Sequence, residues 1–321
     1  MVALINAADN AVGLPMRINA EGLRDQFNTP GLDPSRQVIV AEATDDEGAL
    51  AGMLLGYGRA FPRGDKTGIE RVYDVSMRVH PDANDTGLAH AIAEKVVAIA
   101  HRHEALPGQT RVGKVRVRSY IYERHISLTE AWQQVGLREV RQAWTMSRPL
   151  GAPIPDPPNV PGVTLRTYRY PDDNERSLRA LNRSFADYFD SKPISPETWE
   201  REMASPSVRH DLSWLAEAEG GAGELAGFCI CILDEDENAL GGRLDGWVEG
   251  IGMVREWRGR GVGKSLLLHA LHSFRNAGME VMLADVDAQG SSPATRLFES
   301  AGFVLRDRMY QYECPLSEIT V

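Results

Sequence analysis

Arg258-Gly259-Arg260-Gly261-Val262-Gly263-Lys264-Ser265 stands between a run that reads as a strand (247–254) and one that reads as a helix. In the helix Val262, Leu266, Ala270 and Phe274 recur every four residues, and Gly278 closes it. The glycines let backbone N–H groups approach an anion without side-chain obstruction. The following helix points its unpaired N–H groups and positive dipole end at the same place, and Arg258, Arg260 and Lys264 add charge. The segment therefore reads as a loop for phosphate or pyrophosphate. Three loop types compete. A nucleotide loop of the form Gly-x-x-x-x-Gly-Lys-Ser/Thr fits at Gly263-Lys264-Ser265 but requires glycine where Arg258 stands. A dinucleotide loop, Gly-x-Gly-x-x-Gly, fits Gly259 and Gly261 but requires glycine at Lys264. The pattern Arg/Gln-x-x-Gly-x-Gly/Ala is met in full by Arg258, Gly261 and Gly263.

Around this loop, 163–168 alternates as a strand, and 174–189 and 196–204 read as helices, the second opened by Ser195-Pro196-Glu197. Strands are expected at 211–218 and 225–233, joined by a Gly-rich turn, then at 281–286, with a helix at 293–300 and a closing strand at 303–313. This is an α/β domain, α+β in the sense of a mixed sheet. The chain is written twice. Val40-Ala41-Glu42-Ala43 recurs as Leu215-Ala216-Glu217-Ala218, and Leu50-Ala51-Gly52-Met53 as Leu225-Ala226-Gly227-Phe228. The run from Val79 to Ala89 aligns with that from Met253 to Gly263, and Val135-Gly136-Leu137 with Ala301-Gly302-Phe303. The expected division is a first copy at 1–148, a Pro-rich extended linker at 149–161, and a second copy at 162–321. Asn6 aligns with Asn182, so the counterpart of the strand at 163–168 would precede Met1, and the first copy lacks its opening strand. The C-terminal tail or the linker is expected to cover the edge so exposed.

The 321 residues are 43% hydrophobic and 25% charged, a composition that suits two soluble domains. A formal net charge of -10 argues against general attraction to nucleic acid or an anionic membrane. No apolar run approaches a membrane span, and the first residues lack the pattern of a signal peptide, so a cytoplasmic location is expected. Cys229, Cys231 and Cys314 suit reduced, buried strand positions, and the histidines form no spacing that suggests a metal.

The completed pattern at Arg258, Gly261 and Gly263 resembles the acyl-CoA pyrophosphate loop of the GNAT acetyltransferases. The strand Trp247-Val-Glu-Gly-Ile-Gly-Met-Val254 looks like that family's fourth strand, and Asp287-Ala288 with Ala294-x-x-Leu297-Phe298-x-x-x-Gly302-Phe303 looks like its second signature region. With the duplication, the resemblance covers nearly the whole chain. The tandem layout is similar to that of two-copy acetyltransferases of the mycothiol synthase type. The resemblance implies an acetyl-CoA-dependent N-acetyltransferase in which a small-molecule amine attacks the thioester directly, with acetyl-CoA or another short acyl-CoA as cosubstrate and no metal. It implies acyl-CoA contacts from Gly252, Met253, Val254, Arg258, Gly259, Arg260, Gly261, Val262, Gly263, Lys264, Ser265, Ser291 and Phe298. Met253 and Val254 would supply backbone groups, beside a bulge suited to Gly250 and Gly252. Glu249 is the expected general base, on one strand face with Trp247, Ile251 and Met253 by period two. Where the family carries a tyrosine as leaving-group acid this chain has Phe298, so either the thiolate leaves without a dedicated acid or Tyr310 or Tyr312 of the last strand substitutes, Tyr310 first. Asp187, Tyr188, Trp199 and Trp247 are expected to line the acceptor site, Asp187 holding a cationic amine. In the first copy the loop reads Asn84-Asp85-Thr86-Gly87-Leu88-Ala89, and a carboxylate beside a pyrophosphate is repulsive. That copy is expected to be mainly structural or a lid for the acceptor site, with weak acyl-CoA binding left open. A noncatalytic acyl-CoA-binding sensor and a nucleotide hydrolase are the competing readings, and monomer and homodimer both stay open.

Overall fold

The structure is a computed structural model and describes residues 1–14, 17–29, 31–44, 51–64, 69–83, 86–109, 112–187, 191–220, 223–288 and 293–319. In chain order the elements of the first half are α1 (Val2–Ala11), α2 (Ala20–Phe27), α3 (Pro34–Gln37), β1 (Val38–Glu42), β2 (Leu54–Gly64), β3 (Glu70–Val79), α4 (Thr86–Glu104), β4 (Lys114–Tyr122), α5 (Ile126–Gln134) and β5 (Arg138–Pro149). They are followed by β6 (Val163–Thr167), α6 (Asn174–Ser184), α7 (Pro196–Met203), β7 (Trp214–Ala218), β8 (Leu225–Ile232), α8 (Glu235–Gly241) and β9 (Asp245–Met253). The last elements are α9 (Val262–Asn276), β10 (Val281–Asp287), α10 (Pro293–Ser300) and β11 (Val304–Pro315). Two compact units result. Unit 1 is residues 1–143 with 307–321, and unit 2 is residues 144–306.

In unit 2 the strands run β6-β7-β8-β9-β10, and the end of β5 from Trp144 follows β10. The first four are antiparallel and β9 and β10 are parallel. One core lies between the sheet and α9 with α10. It buries Leu266, Leu267, Leu268, Leu271 and Phe274 of α9 on Val248, Met282, Ala284 and Val286. Each such side chain contributes roughly 1.5–3 kcal/mol relative to exposure, which is why the four-residue apolar period sets this helix. A second core lies on the opposite face, where Leu178 of α6 and Trp199 and Met203 of α7 pack on Phe228 and Ile230. Helix α6 ends at Ser184, five residues short of the expected 189, where Arg258 Nη2 takes the Ser184 carbonyl at 2.7 Å. A charged donor at a helix's last carbonyls satisfies acceptors that have no partner in the helix.

Residues 153–160 of the Pro-rich stretch form no helix or strand, and the stretch belongs to unit 2. Leu150, Ile154 and Val160 enter the α9 core, and Pro158 O accepts from Ser265 Oγ at 2.8 Å. The unit boundary therefore falls within the strand β5.

Unit 1 repeats the plan as β1-β2-β3-β4-β11, antiparallel except for the parallel pair β3 and β4. Among the described residues its sheet opens on β1, with no counterpart of β6. Among the described residues no strand pairs with this edge: the C-terminal β11, expected there, pairs instead with β4 at the far end of the same sheet, and the Pro-rich stretch, the other expected cover, packs in the α9 core. The five-residue β1 stays outermost, with Val40 exposed, and its shortness limits the unpaired edge. The internal repeat reaches single hydrogen bonds. Asn6 exchanges bonds with Ile18 N and O, both at 2.9 Å, and Asn182 does the same with Ile194 at 2.9 and 3.1 Å. In each copy one amide side chain, twelve residues away in sequence, closes the connection between the first two helices.

Candidate functional site

The loop 255–261 leaves β9 through a single 3₁₀ turn at Arg255–Trp257 and enters α9 at Gly261. Gly259 and Gly261 take φ of 74° and 88°, a region that side chains with a Cβ rarely adopt. The N-cap Gly261 has no side chain to cap α9. The first amide of the helical ladder here is that of Ser265, which donates to Gly261 O at 3.0 Å. The N–H groups of Val262, Gly263 and Lys264 thus precede the ladder and point out of the helix end. Ser265, expected to touch the ligand, is buried, with its amide in the helix and its hydroxyl on Pro158 O.

Arg258 faces the protein. Its Nη2 donates to Ser184 O at 2.7 Å and its Nε to Met253 O at 3.2 Å, and Nη1 lies 3.7 Å from Asp187 Oδ2. It ties the end of α6 to the end of β9. Asp187, expected to hold an amine, lies against this arginine and 3.9 Å from Arg255. Arg260 stacks its guanidinium 5.0 Å from the centre of the Trp257 ring.

Strand β9 carries a bulge. Its register with β8 passes from Ile230↔Gly250 to Cys231↔Val248, so Glu249 is the extra residue. The bulge inverts the strand's faces, which corrects the period-two expectation for Ile251 and Met253. Before it, Val248 packs in the α9 core and a Cβ on Gly246 would strike Phe274 of that core. After it, Ile251 and Met253 pack against the α9 core, while a Cβ on Gly252 would come within 2.7 Å of Phe228 and 3.0 Å of Ser184 on the α6 side. Trp247 and Glu249 share the α6–α7 face, and Ile251 and Met253 do not. On the α9 side a Cβ at Gly263 would meet the Met253 thioether at 2.7 Å, so glycine lets the helix start close to the strand.

The bulge coincides with the parting of two strands. Pairing of β10 with β9 ends at Ala284↔Val248, although β9 runs on to Met253 and β10 to Asp287. Val254 N donates to Ala226 O at 3.0 Å, and Val254 O accepts from Trp257 N at 2.9 Å, so neither expected backbone group of Val254 is available. Antiparallel strands alternate between residues that bond the partner and residues that point away. The Val254 bond therefore sets Ile251 and Met253 to direct their backbone groups toward the side that β10 has left. Ile251 was not among the expected contact residues, because its direction follows from a bulge whose position the glycines alone do not fix.

Three carboxylates gather here. Glu249 is accessible to solvent yet set among protein atoms, and this partial dehydration raises its pKa, with smaller raising contributions from the charges of Asp285 and Glu202. Dehydration also raises Asp285, opposed by the Thr145 hydroxyl that donates to Asp285 Oδ1 at 2.6 Å. Dehydration raises Glu202 on α7, opposed by Arg201. Asp285 and Glu202 were missed in the sequence; Asp285 lies two residues before Asp287 on an alternating strand, a spacing that marks a shared face and no more.

The remaining expected residues lie apart. Phe298 is buried edge-on to Phe303, ring centres 5.0 Å apart, within the α9 core. Trp199 is buried and donates from Nε1 to Ser177 Oγ at 3.1 Å. Tyr310 belongs to unit 1, opposite Ile121, with its ring 6.4 Å from that of Tyr312. Tyr188 and Ser291 lie outside the described residues, as does the first-copy pair Asn84 and Asp85. Cys229, Cys231 and Cys314 are buried and free. Among the described residues no group of His, Cys, Asp and Glu is placed to hold a metal, and no helix is long and apolar enough to cross a membrane.

Comparison with known proteins agrees with this geometry. The model of the acetyltransferase (GNAT) family matches residues 177–303. A mycothiol acetyltransferase of Salinispora arenicola is 30% identical over 262 residues, covering 79% of this chain and 76% of that protein. One from Streptomyces bingchenggensis is 30% identical over 302 residues, 89% and 94% of the two chains. Among solved structures, a GCN5-related N-acetyltransferase from Sphaerobacter thermophilus matches with a TM-score of 0.75 at 25% identity, over 98% of this chain and 91% of that one. A tandem GNAT protein from the clavulanic acid biosynthesis pathway shares the fold, with a TM-score of 0.65 at 15% identity over 98% and 94%. With its doubled α/β plan, its glycine loop before α9 and its bulged, parted strand, the chain belongs to the GNAT family of N-acetyltransferases.

Proposed function

We propose that unit 2 transfers the acetyl group of acetyl-CoA to the primary amine of a small molecule. The observation that carries this reading is the open edge of β9 beyond Val248, flanked by the α9 N-terminus on one side and Glu249 at its mouth. The pyrophosphate would take the N–H groups of Val262, Gly263 and Lys264, with Arg260 and Lys264 supplying charge. The amide-bearing pantetheine arm would pair as a strand would with Ile251 and with the Met253 N–H, since Met253 O already accepts from Arg258 Nε. The amine nitrogen attacks the thioester carbonyl carbon, Glu249 accepts the amine proton directly or through one water, and the C–S bond breaks to release CoA as a thiolate. No tyrosine is assigned to protonate that thiolate, because the residue at the family's position is Phe298, buried in the α9 core.

Unit 1 is proposed to be structural. Its strand β3 keeps an unbroken register with β2, so it has no counterpart of the bulge residue Glu249, and Val75, opposite Ala60, takes the place of Val248, opposite Cys231. The test is release of free thiol from acetyl-CoA by the full chain against a panel of amines. Since the relatives are named for mycothiol, a mycothiol-related amine comes first in the panel. Thiol release dependent on one amine is expected. Its absence across the panel, with CoA binding intact, would overturn the small-molecule reading.

A further inference from the structure

At the point where β9 and β10 part, the next residue on each strand is acidic. Val248 and Ala284 are the last partners, and both face the α9 core. Strand alternation then turns Asp285 to the opposite face, and the bulge leaves Glu249 on that same face, beside Glu202 of α7. Among the described residues neither Glu249 nor Asp285 forms a salt bridge with a lysine, arginine or histidine. Asp285 is held instead by Thr145, a buried residue of β5 whose hydroxyl donates to Oδ1 at 2.6 Å. A neutral donor fixes the direction of a carboxylate without cancelling its charge. Two like charges at one sheet position are ordinarily unfavourable, so the arrangement calls for a reason. Unit 1 supplies a contrast. Its β2–β3 register is unbroken, so it has no counterpart of the bulge residue Glu249. The bulge and its glutamate accompany the copy with the intact phosphate loop.

We propose that Asp285, oriented by Thr145, is a positioning residue for the acyl transfer: an anion fixed across the open strand pair from Glu249 that makes Glu249 the stronger base. This rests on the reading of Glu249 as the proton acceptor. A carboxylate beside a second negative charge holds a proton more tightly, and a base whose proton affinity approaches that needed at neutral pH removes the amine proton more effectively. Asp287, two residues beyond Asp285 on β10, shares this face by strand alternation and adds a further acidic group. Glu202 of α7 acts in the same direction and is itself opposed by Arg201. The arginines of α6 are engaged elsewhere: Arg176 with Asp173 and Glu217, Arg179 with Glu175, and Arg183 with Glu224 and Glu256. Strand β8 brings only Ile230 and Cys231 against the bulge.

The experiment is a carboxyl-carbon NMR titration of the full chain, with the Glu249 signal assigned by its loss in Glu249→Gln, alongside the pH profile of kcat/KM. In Asp285→Asn the Glu249 titration and the acidic limb of the profile should both move to lower pH. The plateau rate should fall by less than the roughly 100-fold expected of Glu249→Gln, and Asp285→Glu should restore both. Thr145→Val, which keeps the carboxylate but frees it, should move the titration the same way by less, and it serves if Asp285→Asn does not fold. An unmoved Glu249 titration in a folded Asp285→Asn protein overturns the role of Asp285 and leaves the base intact. A Glu249→Gln enzyme with normal turnover removes the base reading itself, and this proposal with it.

Discussion

Replacing Arg258 by methionine should loosen acyl-CoA binding through a shift of the loop rather than through a lost contact with phosphate. Its guanidinium spans two carbonyls, Ser184 O at 2.7 Å and Met253 O at 3.2 Å, and so joins α6 to the strand that would bind the pantetheine arm. Hydrogen bonds from a charged donor are worth about 1.5–3 kcal/mol each when shielded. The Arg258 side chain is 42% exposed and the Asp187 pair is looser at 3.7 Å, so solvent reduces the sum. A combined loss of about 1–2 kcal/mol is expected, which converts to roughly 5- to 30-fold in an equilibrium constant. Isothermal calorimetry with CoA should show Kd rising by that factor, and kcat at saturating acetyl-CoA should change little. Arg258→Lys decides the cause. Lysine keeps the charge but presents a compact ammonium that cannot span both carbonyls as the planar fork does. If the arginine works by joining the two elements, lysine should restore little of the affinity. Full rescue by lysine, or an unchanged Kd in Arg258→Met, would refute the reasoning.

Glu249→Gln should lower kcat by on the order of 100-fold while leaving the CoA Kd within error, measured by thiol release and calorimetry. The same variant should be more stable than the parent at neutral pH. The folded-state pKa of Glu249 is raised, so the carboxyl favours folding below its unfolded pKa and that contribution is lost as pH rises through the folded value. Glutamine escapes the loss, and the Tm difference at pH 7 should close as pH falls toward about 4. Asn182→Ala and Asn6→Ala should each cost about 1–2 kcal/mol in urea unfolding, since each removes two hydrogen bonds. Only Asn182→Ala should raise the KM for the amine, and equal effects on KM would contradict the division of labour between the units. Gly302→Ala should destabilise by more than 2 kcal/mol, because φ is 84° there and the new Cβ would collide with the buried Arg148 guanidinium that binds Ala301 O.

The glycine loop and the helix behind it are legible in the chain, because anion binding at a helix start needs a local order of residue types and an apolar period that short-range geometry imposes. The duplication is equally legible. It extends to Asn6 and Asn182, whose identical latches repeat the same twelve-residue span. Tertiary structure decided matters that depend on which strand neighbours which. Residues 307–315 complete unit 1 while 144–149 complete unit 2, an exchange that no local pattern encodes because strand pairing joins residues far apart in sequence. The one-residue bulge at Glu249 turned Ile251 and Met253 to the other face, since a single inserted residue reverses every later position in a period of two. The direction of Arg258 toward protein carbonyls, and the meeting of Glu249 with Asp285, likewise arise from distant elements brought together: the motif places an arginine and a glutamate in the right segments, and only packing sets what each of them faces.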